Sequence, residues 1–399
     1  MISKEINLWV IPSFYWSEDY PLRGVFFREQ AEAIANIGVK TTIIYPELRT
    51  LRDFSIFKLR NFHFQRTVTS ENNLIVHRKK RWNFFPTNSP SYNLGLKIWV
   101  KEVLKIAKRR IESGDIPDLI HAHCCLGAGI AAFKIFEEYD IPYLITEHST
   151  SFHESIFNND TTDILKKSIE NSSKTFAVSS PLRNAMISKL GLNCNSVEIM
   201  PNFIDTDFFV PDSNIKQNSG KNTFRFLTIS GINERKKIDR TIIAFEKLYK
   251  VNNNVELYIG GENQGKEFEL KTLVSNLGLN KSVKFIGSLS RDSVLKNMQG
   301  SNCFVLASEA ETFGVVLIES MSCGIPVIAT KSGGPEDIIT KECGLLVEKN
   351  VNDLFIAMEY MINNIKTYDR GAIREIVIKK FSKDIISHQY LSIYRLITG

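Results

Sequence analysis

A two-domain α/β architecture with mostly parallel sheets is the fold class this sequence predicts, and three observations predict it. Short apolar runs rich in β-branched residues alternate with amphipathic helical patterns along most of the chain. Such alternation marks strands covered by helices on both faces. The alternation stops at one polar segment and then restarts, and the length of 399 residues suits two domains of roughly 100–200 residues each.

In chain order, the first-half strand candidates are NLWVI (7–11), TTIIY (41–45), NLIVH (73–77), DLIHAH (118–123), YLITEH (143–148), TFAVS (175–179) and VEIMP (197–201). Helical periods fall at 24–38, 96–112, 127–139 and 181–190. The segment DSNIKQNSGKN (212–222) has no apolar period and reads as a linker. Strands are then expected at 224–230, 255–260, 283–287, 303–308, 326–330 and 344–348. Helices are expected at 236–251, 265–277, 290–300, 314–322, 335–340, 352–364 and 369–396, the last one broken.

Composition sets limits on function. Hydrophobic residues make up 43% and charged residues 24%, which suits a packed core and excludes wholesale disorder. No run approaches the ~18 apolar residues of a membrane-spanning helix. The apolar run near the N-terminus is too short for a signal peptide and reads as a first strand. Six cysteines without a C-x-x-C pattern argue against a disulfide framework or structural zinc, and a cytoplasmic location is expected. Net charge is +6, below that of a dedicated nucleic-acid binder. The excess concentrates in Arg78, Lys79, Lys80, Arg81, Lys97, Lys101, Lys105, Lys108, Arg109 and Arg110, with Glu102 as the one acid between them. Two readings stay open: a solvated helix face with a loop, or a surface for anionic lipid or an anionic acceptor. Trp82, Phe84 and Phe85 favour the second, since aromatic rings suit a membrane interface.

In open α/β sheets, ligands bind beyond the carboxyl ends of strands, and with two such domains the cleft between them is the default site. The segment AETFGVVLIESMSCGIPVIAT (310–330) supplies the chemistry expected there. Glu311 lies in the loop after a strand, and Glu319 lies inside an apolar helix. A carboxylate in such a helix is either a structural ion-pair partner or an acceptor for ligand hydroxyls. The helix N-terminus near Gly314 offers free amides and positive dipole to an anion. Arg235, Lys236 and Lys237, after the strand ending at Ser230-Gly231, are either a basic cap or the neutralising charge for a diphosphate. Other features read as structural. His121 and His123 share a strand face but lack a third metal ligand. Asp205 and Asp207 sit in a domain connection. GGENQGKE (260–267) has Glu267 where a P-loop needs Ser or Thr. Cys124, Cys125 and Cys323 read as small buried residues.

The run Glu311 to Glu319, followed by Ser322-Cys323-Gly324-Ile325-Pro326-Val327, resembles the E-x7-E signature of family 4 glycosyltransferases. GVFFREQAEAIANIGVKTTII (24–44), ITEHST (145–150), FAVSSPLRNAM (176–186), IMPNFIDTDFF (199–209), LYIGGE, FIGSLS, GGPEDII and GLLVE are similar to further family segments, in the family's order. The resemblance implies the GT-B fold, with two Rossmann-like domains facing across a cleft. Residues 1–205 would bind the acceptor and residues 206–380 the donor, with 381–399 as a helix returning to the first domain.

The resemblance also implies a retaining, metal-independent hexosyltransferase. Its donor would be a nucleoside-diphosphate sugar, UDP-sugar foremost, with no other cofactor. Its acceptor would be a glycan or lipid-linked hydroxyl, in cell-surface polysaccharide or glycolipid synthesis, with peripheral contact to anionic membrane and none to nucleic acid. By the same resemblance Glu311 would contact the sugar, Lys236 the phosphates, Glu319 the ribose, and His148 would sit near the reacting sugar. Gly24, Gly231, Glu262, Ser308, Thr312, Phe313, Gly314 and Val315 would complete donor binding. The family's Gly-Arg is Gly231-Ile232 here, and Arg235 stands as the substitute. A nucleotide-sugar epimerase of the same fold and a non-catalytic sugar-nucleotide or glycan binder remain as rivals.

Overall fold

The computed structural model describes residues 5–17, 24–49, 66–83, 85, 93–154, 157–212 and 223–399. Phe84 and residues 213–222 of the expected linker lie outside them. The chain divides into two compact units, residues 1–201 with 384–399, and residues 202–383.

The first unit is built on an eight-stranded sheet. Its strands are β1 (Asn7–Pro12), β2 (Lys40–Arg49), β3 (Arg66–Glu71), β4 (Leu74–Trp82), β5 (Leu119–His123), β6 (Tyr143–Glu147), β7 (Lys174–Ala177) and β8 (Glu198–Ile199). Their order is β3-β4-β2-β1-β5-β6-β7-β8. All pairings are parallel except β3 with β4. The direction of winding reverses between β1 and β5, which makes that the switch point where a crevice opens beyond the strand ends. Local signals set the helices. Ser179 caps Ser180–Leu190 by accepting the Leu182 N–H, Pro181 sits in its first turn, and Gly191 closes it in the left-handed region. The helix Lys383–Thr398 belongs to this unit, with Tyr390 and Tyr394 fully buried.

The second unit holds β9 (Phe224–Ile229), β10 (Val255–Gly260), β11 (Val283–Gly287), β12 (Cys303–Leu306), β13 (Val327–Thr330) and β14 (Gly344–Val347). Their order β11-β10-β9-β12-β13-β14 is parallel throughout, with the switch point between β9 and β12. Helix Ile238–Val251 buries Ile238, Ile242, Phe245 and Leu248 at helical spacing. The expected break near the C-terminus falls at Ser382, which is extended between Arg370–Phe381 and Lys383–Thr398. Asp205 and Asp207 both pair with Lys383, at 3.0 and 2.9 Å, which agrees with a connection rather than a metal motif.

The basic stretch requires a correction. Neither a loop nor an open surface holds Arg78–Arg81, because β4 continues through Trp82 in register with β2. Arg78 is buried and pairs with Glu47 at 2.9 Å. Lys79 is buried against Glu102, which also takes Arg81 and, at 3.1 Å, Lys105. Glu102 faces the core side of helix Leu94–Glu112 with no exposed surface. Burial works against its charge, but the hydrogen bonds from Lys79 and Lys105 outweigh it and hold its carboxyl below the usual range.

Candidate functional site

The second unit brings Lys236 and Glu311 together. Lys236 closes the short 3-10 turn Glu234–Lys236 after β9, where Asn233 caps the turn by accepting the Lys236 N–H at 3.3 Å. Glu311 follows β12. These two strands flank the switch point, so both loops open at the crevice that topology alone designates. Lys236 Nζ donates to Glu311 Oε1 at 2.5 Å, and Ser308 Oγ donates to the same oxygen at 2.6 Å. The Glu311 backbone is fixed on both sides. Its N–H donates to the Ser332 carbonyl and its carbonyl accepts from the Gly334 N–H, both at 2.8 Å.

Other elements hold the two loops in place. Glu309 N–H donates to the Arg235 carbonyl at 2.8 Å. Arg240 donates to the Ala307 carbonyl and to Glu309, both at 2.9 Å. Arg240 and Ser332 carried no signal in the sequence, since the groups they reach, Ala307, Glu309 and the Glu311 backbone, come from a loop distant in sequence. Helix Val315–Ser322 starts at Gly314, whose φ of 100° is open to glycine and strained for other residues. No side chain caps that helix, so its first-turn amides and positive dipole end are not taken up by a capping side chain.

The remaining donor-side candidates separate. Arg235 is half-buried in the same turn as Lys236. Ile232, at the place of the family's arginine, is fully buried with its N–H on the Glu262 carbonyl. Gly231 ends the β9 loop, and the Glu262 side chain is exposed after β10. Thr312, Val315 and Glu319 are half-buried. Phe313, expected in donor binding, can offer a ligand only its backbone. It is buried, with its ring packed on Phe381 at 5.7 Å between centroids, so its side chain belongs to the core. Ser308 has no exposed surface, and its hydroxyl is committed to Glu311.

At the strand ends of the first unit, histidines and one carboxylate are buried. His148 Nε2 lies 3.1 Å from His123 Nδ1, and its ring packs on Phe26 and Phe27. His121 reaches Tyr394 at 2.7 Å and Thr146 at 2.8 Å, and Thr146 reaches Tyr390 at 3.1 Å. Burial pushes the His121 imidazolium well below its ordinary pKa, helped by His148. Burial does the same to His123, helped by His121 and His148. Both rings are therefore neutral at physiological pH. The buried carboxylate of Glu147 accepts the N–H groups of Cys125, His148 and Ser149 at 2.7, 2.9 and 2.7 Å, binding the β5 and β6 loops together. The sequence offered only its place at a strand end as a signal. Gly24 adopts φ 70° at the start of helix Val25–Asn36, where a Cβ would lie 2.8 Å from the Phe14 carbonyl. Cys124, Cys125 and Cys323 are buried thiols, as expected. Among the described residues no three His, Cys, Asp or Glu side chains are placed to hold a metal.

Two doubly wound parallel sheets place the chain in the α/β class whose ligands bind at switch points beyond the strand ends. Comparison with known proteins narrows that class. The family description "Glycosyltransferase Family 4" matches residues 24–208, and "Glycosyl transferases group 1" matches residues 211–374. The N-acetyl-alpha-D-glucosaminyl L-malate synthase of Bacillus anthracis is 28% identical over 320 residues, 76% of this chain and 79% of that protein. An uncharacterised glycosyltransferase of Methanocaldococcus jannaschii is 30% identical over 264 residues, 65% of this chain and 69% of its own length. Among solved structures, sucrose-phosphate synthase of Thermosynechococcus elongatus superposes with a TM-score of 0.78 at 19% identity, covering 98% of this chain and 99% of that one. HepE of Anabaena, solved in complex with UDP, gives 0.73 at 19% identity over 97% and 99%. The chain belongs to glycosyltransferase family 4, and its fold is GT-B, as the motif order implied. No helix among the described residues is long and apolar enough to cross a membrane.

Proposed function

We propose that this chain is a retaining, metal-independent hexosyltransferase. It moves a sugar from a nucleoside diphosphate, UDP foremost, to a hydroxyl of a glycan or lipid-linked acceptor at the cytoplasmic side of the cell envelope. The observation that carries this reading is the Lys236–Glu311 pair at the β9/β12 switch point. An ammonium suits the diphosphate, and a carboxylate suits sugar hydroxyls. The helix opening at Gly314 adds an anion-binding terminus. The Anabaena HepE structures, solved in complex with UDP and with UDP-glucose, agree with that donor chemistry.

In the reaction, the bond from the anomeric carbon to the β-phosphate oxygen breaks and the diphosphate takes the electron pair. Lys236, Arg235 and the Gly314 helix terminus stabilise that charge. The acceptor oxygen bonds the anomeric carbon on the face the phosphate leaves, and its proton passes to the departing phosphate oxygen. Glu311 holds sugar hydroxyls, Glu319 holds the ribose, and His148 and Gly24 keep the roles the family resemblance implies. Contact with anionic membrane rests on Lys97, Lys101, Lys108 and Arg109, the exposed cations of helix Leu94–Glu112. Vesicle co-sedimentation unaffected by reversing those four charges would contradict that part.

The test is incubation of the full chain with UDP-sugars and acceptor panels in the presence of a chelator, with the product read by NMR. UDP release with an α-linked product from an α-linked donor is expected. An inverted product, chelator sensitivity, or conversion of the donor to its epimer without acceptor would overturn the reading.

A further inference from the structure

We propose that Ser308 is a positioning residue that aims the carboxylate of Glu311, rather than a residue that touches the donor. The inference rests on the proposed role of Glu311 as acceptor of sugar hydroxyls. Ser308 is 0% exposed, so no ligand reaches its hydroxyl. That hydroxyl donates to Glu311 Oε1 at 2.6 Å, the same oxygen that takes Lys236 at 2.5 Å. Two donors on one oxygen fix the rotation of the carboxylate. With Oε1 taken by two donors, Oε2 is the oxygen left to accept a ligand hydroxyl. Ser308 is itself anchored. Its carbonyl accepts from the Thr330 hydroxyl at 2.6 Å, and Thr330 is buried at the end of β13. Two buried hydroxyls thus act in turn: that of Thr330 ties β13 to the Ser308 backbone, and that of Ser308 holds the carboxylate.

The arrangement divides binding in a testable way. Glu311 Oε2 addresses the sugar, and the nucleotide is gripped elsewhere. Loss of Ser308 should therefore weaken UDP-glucose or UDP-N-acetylglucosamine while sparing UDP. In Ser308→Ala we expect about a tenfold loss in affinity for the UDP-sugar by calorimetry, in keeping with a hydrogen bond to a charged group. Affinity for UDP should stay within about twofold. Thr330→Val should show the same pattern at smaller size. Added to Glu311→Ala, Ser308→Ala should cost nothing further, because it acts only through the carboxylate.

Equal losses for UDP and UDP-sugar in Ser308→Ala would indicate a general structural role and overturn the proposal. So would additive losses in the double variant. Unchanged UDP-sugar affinity in Ser308→Ala, with a clear loss in Glu311→Ala, would overturn the proposal and leave the role of Glu311 standing. Unchanged affinity in both would overturn the two together.

Discussion

The two units share a winding pattern and differ in how they handle charge at its switch point. In the second unit, Lys236 and Glu311 meet at the strand ends with part of each side chain exposed. In the first, the same topological place holds the neutral imidazoles of His121 and His123, tyrosine and threonine hydroxyls, aromatic rings, and the Glu147 carboxylate, which is committed to three backbone N–H groups. Its cations lie farther along the sheet, at the ends of β2 and β4, locked to Glu47 and Glu102. Topology supplies two crevices, and side chains decide what each can bind. A diphosphate needs accessible positive charge, which the second unit offers. An acceptor hydroxyl, expected at the first unit, would need orientation without strong charge.

Removing the lock in the first unit should have the largest effect. Glu102→Gln leaves Lys79 and Arg81 without their anion, and breaking such a buried pair costs about 3–5 kcal/mol. Urea unfolding should show this as a lowered midpoint. A change below about 1 kcal/mol would mean that the pairing behaves like an exposed one.

Acid should sharpen the contrast next. His121 and His123 have folded pKa values below their unfolded value of about 6.5. Below that pH the unfolded chain binds protons that the folded chain refuses, so stability falls as pH drops. It is flat above about 7. Each histidine contributes a slope of about 1.4 kcal/mol per pH unit between its two pKa values. Unfolding at pH 7, 6 and 5 should show the decline, and His123→Gln should reduce it. A profile flat down to about pH 5 would contradict the buried, neutral imidazoles.

What could be read from the sequence follows from the same contrast. Strands such as CFVLAS and VELYIG were legible because apolar, β-branched runs between turn residues have few alternatives. Caps such as Ser179, Ser290 and Asn350 announce helix starts by residue type alone. Helix Asn159–Glu170 was missed because Thr161 and Ser168 join Leu165 and Ile169 on its buried face, which weakens the apolar period. Strand β3 was missed because its residues are mostly polar and exposed. The Arg78–Arg81 run looked like surface because its counter-charges, Glu47 and Glu102, come from another strand and a helix. At the site, the signature run singled out Glu311, and the basic turn after β9 singled out Lys236. It did not show that Phe313 turns inward or that Ser308 is sealed behind Glu311, because side-chain direction depends on how β12 and β13 stack.

The central claim is that the second unit grips a sugar nucleotide through Lys236 at its switch point. Calorimetric titration of the full chain with UDP, for the parent and for Lys236→Ala, tests it most directly. The account predicts saturable binding by the parent. It predicts at least a tenfold loss in the variant, titrated well below its own melting temperature, since one charge-assisted contact to phosphate contributes about 1.5–3 kcal/mol. Equal affinity in the two proteins, or no binding in either, would contradict it.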